Sequence, residues 1–510
     1  MVDPVSTGAF ALVVGGTSLL AITARRFRVR DELPTLEGWA LAGRQFGGVI
    51  MWFLLGGTIY TAYTFAAVPG LVYGVGALGF FALAYTVIVY PLAFVLLPRL
   101  WRVAKDHGHV TVADYVRDRY DSPLLALVVA LTGILATMPY IALQLLGIRA
   151  VLVAGGLYPT NGIAGDLTLV AVFAVLAGAT YRSGLRAPTV ISLAKGVLVF
   201  TTIVAVVALV LVELGGPGAM FQAAERNLPA NGVAGASLTL DPSLYAAYAS
   251  LALGSAMALL MYPHVLTATF AASGGDALRR ATVGLPAWTA VLGLFALLGI
   301  AALAAGVAAR PGNAEAAVPL MVQDLTPPVA TGLVFGALAV GALVPAAVMS
   351  VGAATLFVRN VYVEYFHPMA TPKHQTQVAR AVSLVAKFGA LAFVFGLPDQ
   401  DAINLQLLGG VWILQTFPTV ALGLFTGWLH RTALLAGWAV GMLVGTVVAA
   451  SGGFSAVVPV LGIPLYVAVA ALLINLGVAV ALTPLLDRFG VARGTDATRH
   501  ATRPVAARTG

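Results

Sequence analysis

The chain has 510 residues, of which 60% are hydrophobic and only 9% are Asp, Glu, Lys or Arg; its net charge is +8 and it has no cysteine. An average soluble domain carries about 25% charged residues, so this composition excludes a soluble fold and points to an all-α polytopic membrane protein. Disulfides and thiolate metal sites are excluded as well. The basic residues stand in short clusters between apolar spans, a pattern explained by orientation in a bilayer and not by nucleic-acid binding.

In chain order, apolar runs bounded by charged or Gly/Pro-rich breaks lie near 8–24, 46–72, 76–97, 123–154, 166–181, 187–213, 244–272, 283–308, 328–358, 378–396, 402–427, 432–451 and 464–484. A crossing needs about 20 apolar residues, so these are thirteen candidate transmembrane helices. The runs 123–154 and 328–358 exceed a perpendicular crossing and are expected to tilt. The first run has no basic residue before it and is followed by Arg25, Arg26, Arg28 and Arg30, the reverse of a cleavable signal peptide, so it is expected to remain with its N-terminus outside.

Thirteen crossings from an outside N-terminus assign each loop to a side, and the Lys/Arg distribution tests that assignment. Segments placed inside carry 23 of the 28 basic residues; only Arg226 and Arg310 lie outside, and Arg149, Lys195 and Lys387 fall within spans. A miscount by one span would scramble this asymmetry. The expected location is therefore a prokaryotic cytoplasmic membrane, multi-pass, with the C-terminus in the cytoplasm. The tail 487–510 is polar, basic and rich in Gly, Ala and Thr, and reads as disordered. The outside loop 214–243 reads either as a cap or as a plain linker.

Three stretches resemble the solute:sodium symporter family, which shares the inverted five-helix-repeat architecture of the leucine transporter. LLGGTIYTAYTFAAVPGLVYGVG (54–76) is similar to the family's broken first core helix. YPHVLTATFAASGGDALRRA (262–281) resembles its Gln-Pro-His motif in the broken sixth core helix. TLFVRNVYVEY (355–365) resembles the Ile-Phe-Thr-x-Asp-Ile-Tyr segment after core helix eight, with Asn360 in place of Asp. With VTVADYVRDRY (110–120), the likeness runs over about residues 40 to 430, and the wording of YTAYTF, SGLRAP and LLGGVWILQTFP is most like the monocarboxylate permease branch. The resemblance implies an extra N-terminal helix and cytoplasmic loop (1–45), a ten-helix core (46–430) with repeats at about 46–213 and 244–427, and two further helices (431–486) before the tail. Five-helix repeats are inserted upside down relative to each other, with substrate and coupling ions near the midplane at broken helices.

The run Gly56-Gly57 followed by Thr58, Tyr60, Thr61, Tyr63 and Thr64 has the composition of an interrupted helix, because Gly loosens the turn and hydroxyls replace lost backbone partners. The positive end of such a half-helix can hold a carboxylate; the alternative is a Gly-mediated helix contact with packing tyrosines. Tyr262 and His264 flank Pro263, where proline removes an intrahelical donor. His264 reads as a polar liner or as a hydrogen-bonded structural histidine. Gln415 stands on the core helix that supplies substrate contacts in the family's sugar symporters, with Gln144 and Gln406 as alternative liners or interhelical glue.

Lys195 lies eight positions into an apolar span with no acid on that span, and a central Lys costs about 2.5–3.5 kcal/mol on insertion scales, so it is expected to face the bundle. Lys387 is also mid-span, and Arg149 sits near an outer helix end. The resemblance sharpens Lys195. Sodium-coupled relatives carry Thr-Asp-x-x-Gln after a Gly-Gly-Leu that resembles Ser183-Gly184-Leu185; here Ser192 replaces the Asp and Lys195 the Gln. Val344 and Pro345 stand where sodium-site hydroxyls are expected, and neither side chain offers oxygen, although Ser350 would restore one under a shifted alignment.

The expectation is thus a secondary transporter, not an enzyme, that imports a short monocarboxylate (lactate, pyruvate, propionate, acetate) by cation symport. The coupling ion is a proton, with Lys195 in place of sodium, or sodium itself, and no other cofactor or metal is called for. The alternatives are a sodium-coupled symporter of an amino acid such as proline or alanine, or a channel-like or sensor protein. The partners are the small carboxylate and the lipid bilayer; the oligomeric state is left open.

Overall fold

The computed structural model describes residues 3–23, 35–158, 164–165, 167–171, 174, 181, 183–231, 236–309, 313–396 and 402–499. Among them eleven helices are long and apolar enough to cross a membrane, and a bent pair makes a twelfth crossing. The crossing expected at 166–181 falls largely outside the described residues, as do Arg25, Arg26, Arg28, Arg30, Arg182 and Arg310.

Helix α1 (Pro4–Thr23) precedes the bent pair α2 (Gly48–Ile59) and α3 (Tyr63–Val75), whose axes differ by 54°. Then follow α4 (Phe81–Asp106), the short α5 (Val112–Tyr120), α6 (Pro123–Ala154) and α7 (Arg186–Glu213). A second interrupted pair is formed by α8 (Tyr245–Met261) and α9 (Pro263–Phe270), followed by α10 (Pro286–Ala304), α11 (Pro328–Phe357) and α12 (Pro372–Gly396). The chain ends with α13 (Ala402–Ile413), α14 (Arg431–Ser451) and α15 (Val467–Arg488). Helix α6 starts at Pro123 with the Ser122 hydroxyl accepting from Leu125 N at 3.2 Å. At 32 residues it spans about 48 Å at 1.5 Å per residue, more than the bilayer core, as the sequence pattern predicts.

Helix α11 is the buried axis of the bundle, packed by α1, α6, α7, α9 and α12, and nearly every residue from Val334 to Leu356 is shielded. One element escapes the sequence reading. Strands β1 (Val457–Val460) and β2 (Ile463–Tyr466) form an antiparallel hairpin between α14 and α15. Its two turn residues, Leu461 and Gly462, both have positive φ, 51° and 80°, as a two-residue hairpin turn demands. The segment 214–243 is a cap over its described part: Ser237 O accepts from Ala77 N at 2.8 Å, and Asn227 donates to Leu303 O at 2.8 Å.

At the end of the bundle that carries α5, polar contacts replace apolar ones. Thr111 and Asp114 form a capping box on α5, Asp114 accepts from Asn360 Nδ2 at 2.8 Å, and Thr111 donates to Asn360 Oδ1 at 2.7 Å. The amide at Asn360 thus donates to a carboxylate that an aspartate there would repel. The tail 487–510, expected to be disordered, makes contacts with the bundle over its described part, 487–499. Arg493 pairs with Asp487 and donates to Gly427 O (3.1 Å) and Trp428 O (2.9 Å). Asp496 pairs with Arg119, itself bound to Gly423 O and Thr426 O, both at 2.9 Å. Charge and backbone carbonyls, not apolar burial, hold this strap, which is why composition misses it. Asp496→Asn is expected to free it, giving several-fold faster trypsin cleavage at Arg493 and Arg499 in detergent-purified protein, with cleavage elsewhere unchanged.

Candidate functional site at the two helix breaks

The first break lies at Tyr60–Ala62, not at the two glycines. Tyr60 leaves the helix with ψ 97°, while Gly56 and Gly57 stay helical and serve close packing. A Cβ on Gly56 would sit 2.2 Å from the Trp288 ring, and one on Gly57 would sit 2.7 Å from Ser192 Oγ. Backbone groups freed inside a dry bundle must find other partners. Gln144, fully buried on α6, accepts from Ala62 N at 3.0 Å and donates to Thr61 Oγ1 at 3.3 Å. On the other lip, Lys195 reaches across from α7.

The Lys195 ammonium, with no exposed surface, donates to Gly57 O (2.8 Å), Tyr60 O (2.6 Å) and Gly341 O (2.9 Å). Three donors meet three acceptors, so the ammonium is fully satisfied. Two of the oxygens belong to the last turn of α2, where the helix dipole favours a cation. The third comes from α11, so one positive charge ties three core helices together. Phe65 lies beneath, its ring centre 5.2 Å from Nζ, and it fits because Gly341 has no side chain: a Cβ there would meet the ring at 2.3 Å.

Val344 and Pro345, one turn along α11 from Gly341, are buried and offer no side-chain oxygen. Ser350, the alternative oxygen donor, lies away from the Lys195 ammonium. Ser350 stands nine residues, about 13.5 Å of helix, beyond Gly341, and its hydroxyl donates to Ala347 O at 2.8 Å. Ser192 packs against Gly57, and its hydroxyl donates to Pro188 O at 2.8 Å. Among the other site candidates, Thr58 donates to Leu55 O at 3.0 Å and Thr61 accepts from Tyr63 N at 3.1 Å. The Tyr60 hydroxyl bonds Thr289 at 2.7 Å while its ring stacks on Trp288.

At the second break Tyr262 is extended (ψ 135°), and Pro263 opens α9. Tyr262 donates to Gln406 O at 3.2 Å. His264 is fully buried, and neither ring nitrogen has a hydrogen-bond partner, so the reading of a hydrogen-bonded structural histidine is not met. Thr64 Oγ1, Ser255 Oγ and Gln406 Oε1 are likewise buried without partners, while Tyr63 packs edge-on to Tyr85. Buried polar groups are ordinarily paired, so these atoms are open to a further partner. Tyr140, which the sequence reading passed over, packs edge-on to Tyr262 and His264 at 5.0 and 5.3 Å. Its spacing of four from Gln144 puts both on one face of α6 and was the available signal.

Gln415, expected as a substrate contact, is engaged here by protein groups. Its amide donates to Val411 O (3.0 Å) and Ala468 O (3.4 Å), and Asn475 of α15 donates to its backbone and side-chain oxygens at 2.9 and 3.2 Å. It therefore joins the end of α13 to α15. Lys387 is buried on α12, and Arg149 is half-buried near the end of α6.

Two interrupted helices meeting at a buried polar centre are the construction of secondary transporters. The family model described as "Sodium:solute symporter family" matches residues 39–445. A curated relative from Rhizobium johnstonii, "Monocarboxylate transport permease protein", is 46% identical over 473 residues, covering 92% of this chain and 94% of its own. The "Uncharacterized symporter YodF" of Bacillus subtilis is 34% identical, with 85% and 87% covered. Among solved structures, a substrate-bound, outward-open Na+-coupled sialic acid symporter superposes with a TM-score of 0.77 at 15% identity, over 95% of this chain and 98% of that one. The chain belongs to the sodium:solute symporter family and has its leucine-transporter-like fold. It is a cation-coupled membrane symporter.

Two substitutions separate packing from transport. Gly56→Ala forces a methyl into the Trp288 ring and should cost about 1–3 kcal/mol, seen as a lower thermal midpoint in detergent. Gln415→Met removes buried hydrogen bonds and should destabilise the protein by about 1–3 kcal/mol in the same assay, while leaving the KM for transported solute unchanged.

Proposed function

We propose that this chain is a proton-coupled importer of a short-chain monocarboxylate, with the Lys195 ammonium occupying the place of a sodium ion. The observation that carries the reading is the set of three carbonyl oxygens, from Gly57, Tyr60 and Gly341, that converge on Nζ where the facing helix has only Val344 and Pro345 to offer. Carbonyl oxygens solvate an ammonium as they do a monovalent metal ion, but a tethered ammonium empties its site by losing a proton instead of by diffusing away. Protonated, Lys195 ties the lip of the first break to α11; neutral, it loses the charge that holds three helices together, and α2 and α11 are freer to part. Proton uptake on one side and release on the other would then alternate with solute binding.

The substrate reading draws on the 46% identical relative with its monocarboxylate permease name and on the unpaired donors at the breaks. The N-terminal ends of α3 and α9 are the positive ends of half-helices, suited to a carboxylate. Tyr63, Thr64 and His264 offer side-chain partners beside them, and Tyr140 and Tyr262 enclose a short apolar chain. The family name favours sodium, with a carboxylate or an amino acid such as proline or alanine as the solute.

Proteoliposomes separate these readings. Lactate, pyruvate, propionate and acetate uptake should accumulate under an inward proton gradient without sodium, and proline or alanine should not compete. Lys195→Gln should lower accumulation by about tenfold or more, within the usual range of coupling energies. Uptake that follows sodium alone, or a Lys195→Gln variant that still concentrates solute on a proton gradient, would overturn the proposal.

A further inference from the structure

Only three residues, Tyr60, Thr61 and Ala62, separate the two halves of the first broken helix, and each end of this short bridge is tied to a different neighbour. Tyr60 O is held by Lys195 of α7; Ala62 N and Thr61 Oγ1 are held by Gln144 of α6. In an unbroken helix Ala62 N would donate to Thr58 O, four residues back. The Gln144 carbonyl oxygen offers the competing acceptor and so removes the drive to heal the break. The Gln144 amide nitrogen also donates to Tyr140 O at 3.0 Å, so both its amide hydrogens and its oxygen are engaged and the side chain has one setting. Gly147, one turn further on, brings α6 within reach: a Cβ there would lie 2.5 Å from that of Ala62. One turn the other way, Tyr140 packs on Tyr262 and His264 at the second break. A single helix face thus touches both breaks and pins the bridge between cation cap and solute-side half.

We infer that Gln144 is a positioning residue that couples cation occupancy at the Lys195 cap to solute binding at the two breaks, by holding the Tyr60–Ala62 bridge out of helical register. The inference rests on the proposed function only in placing a cation at the cap and solute at the breaks, and it holds for whichever cation drives the wild type. With Met at position 144, the volume is kept and the acceptor is lost. Ala62 N can then return to Thr58 O, so the solute-side half no longer senses the cap.

The test uses full-length protein in proteoliposomes and the best solute of the monocarboxylate panel. Solute-for-solute counterflow, with equal cation on both sides, reads binding and reorientation. Accumulation under the gradient that drives the wild type reads coupling. Gln144→Met should keep counterflow within about threefold of wild type while accumulation falls by about tenfold or more, and Gln144→Glu, which retains an acceptor of the same length for Ala62 N, should recover part of the accumulation. A purely structural role predicts equal loss of both activities in Gln144→Met; that result, wild-type accumulation by Gln144→Met, or Gln144→Glu no better than Met would each overturn the inference. Should Gln144→Met fail to assemble, Gly147→Ala presses on the same bridge from the backbone side and should give the same split. If the wild type proves to run on sodium, the proton reading falls and this inference is tested unchanged.

Discussion

A helix broken inside a dry bundle leaves peptide groups that neither water nor the next turn can satisfy, and this constraint organises the whole core. An unpaired buried backbone group costs about 1–3 kcal/mol, so a break persists only where side chains from other helices supply partners. Lys195 covers the carbonyl lip and Gln144 the amide lip of the same three-residue bridge. Both are fully buried polar side chains on otherwise apolar helices, and each is tolerated because the break provides what it needs. Break and buried residue stabilise each other, and α2, α3, α6, α7 and α11 are held in one arrangement by these few bonds.

Close packing makes those reaches possible. The space beside Gly56 is filled by Trp288, that beside Gly57 by Ser192, that beside Gly196 by Phe53 and that beside Gly341 by Phe65. Without a hydrophobic driving force between helices in lipid, small residues let backbones and rings approach until dispersion and hydrogen bonds hold them. The second break is treated differently. There Pro263 removes the donor, and the hydroxyls of Tyr262 and Tyr466 donate to neighbouring carbonyls of α13, at Gln406 and Leu407. Its histidine stays unpaired, whereas the lip of the first break is sealed by protein groups.

The polar residues show how far single positions can be read. Lys195 was legible because an isolated lysine in an apolar span must face something, and the departures at Val344 and Pro345 said what was missing there. Gln415 was not, because a glutamine on a core helix is equally at home facing a cavity or a neighbouring helix, and Asn475, its partner, lies sixty residues away with no local signal. Gln144 stood between the same alternatives until Ala62 N came within 3.0 Å of it. The tail strap and the 457–466 hairpin were invisible for another reason: ion pairs, hydrogen bonds to backbone carbonyls and a two-residue turn leave no mark on hydropathy.

The sequence by itself determined the membrane class, the order and bounds of most helices, and the family, because apolar run length, charge asymmetry and motif order are one-dimensional quantities set by the bilayer and by the chain. It also marked Lys195 and the region of both breaks. Only the tertiary structure decided that the first break sits three residues past its glycines, that three carbonyls from two helices meet on one ammonium, and that Gln144 and Tyr140 share the face joining both breaks. Those facts depend on which helices lie side by side and on the rotation of each about its axis, which long-range packing sets.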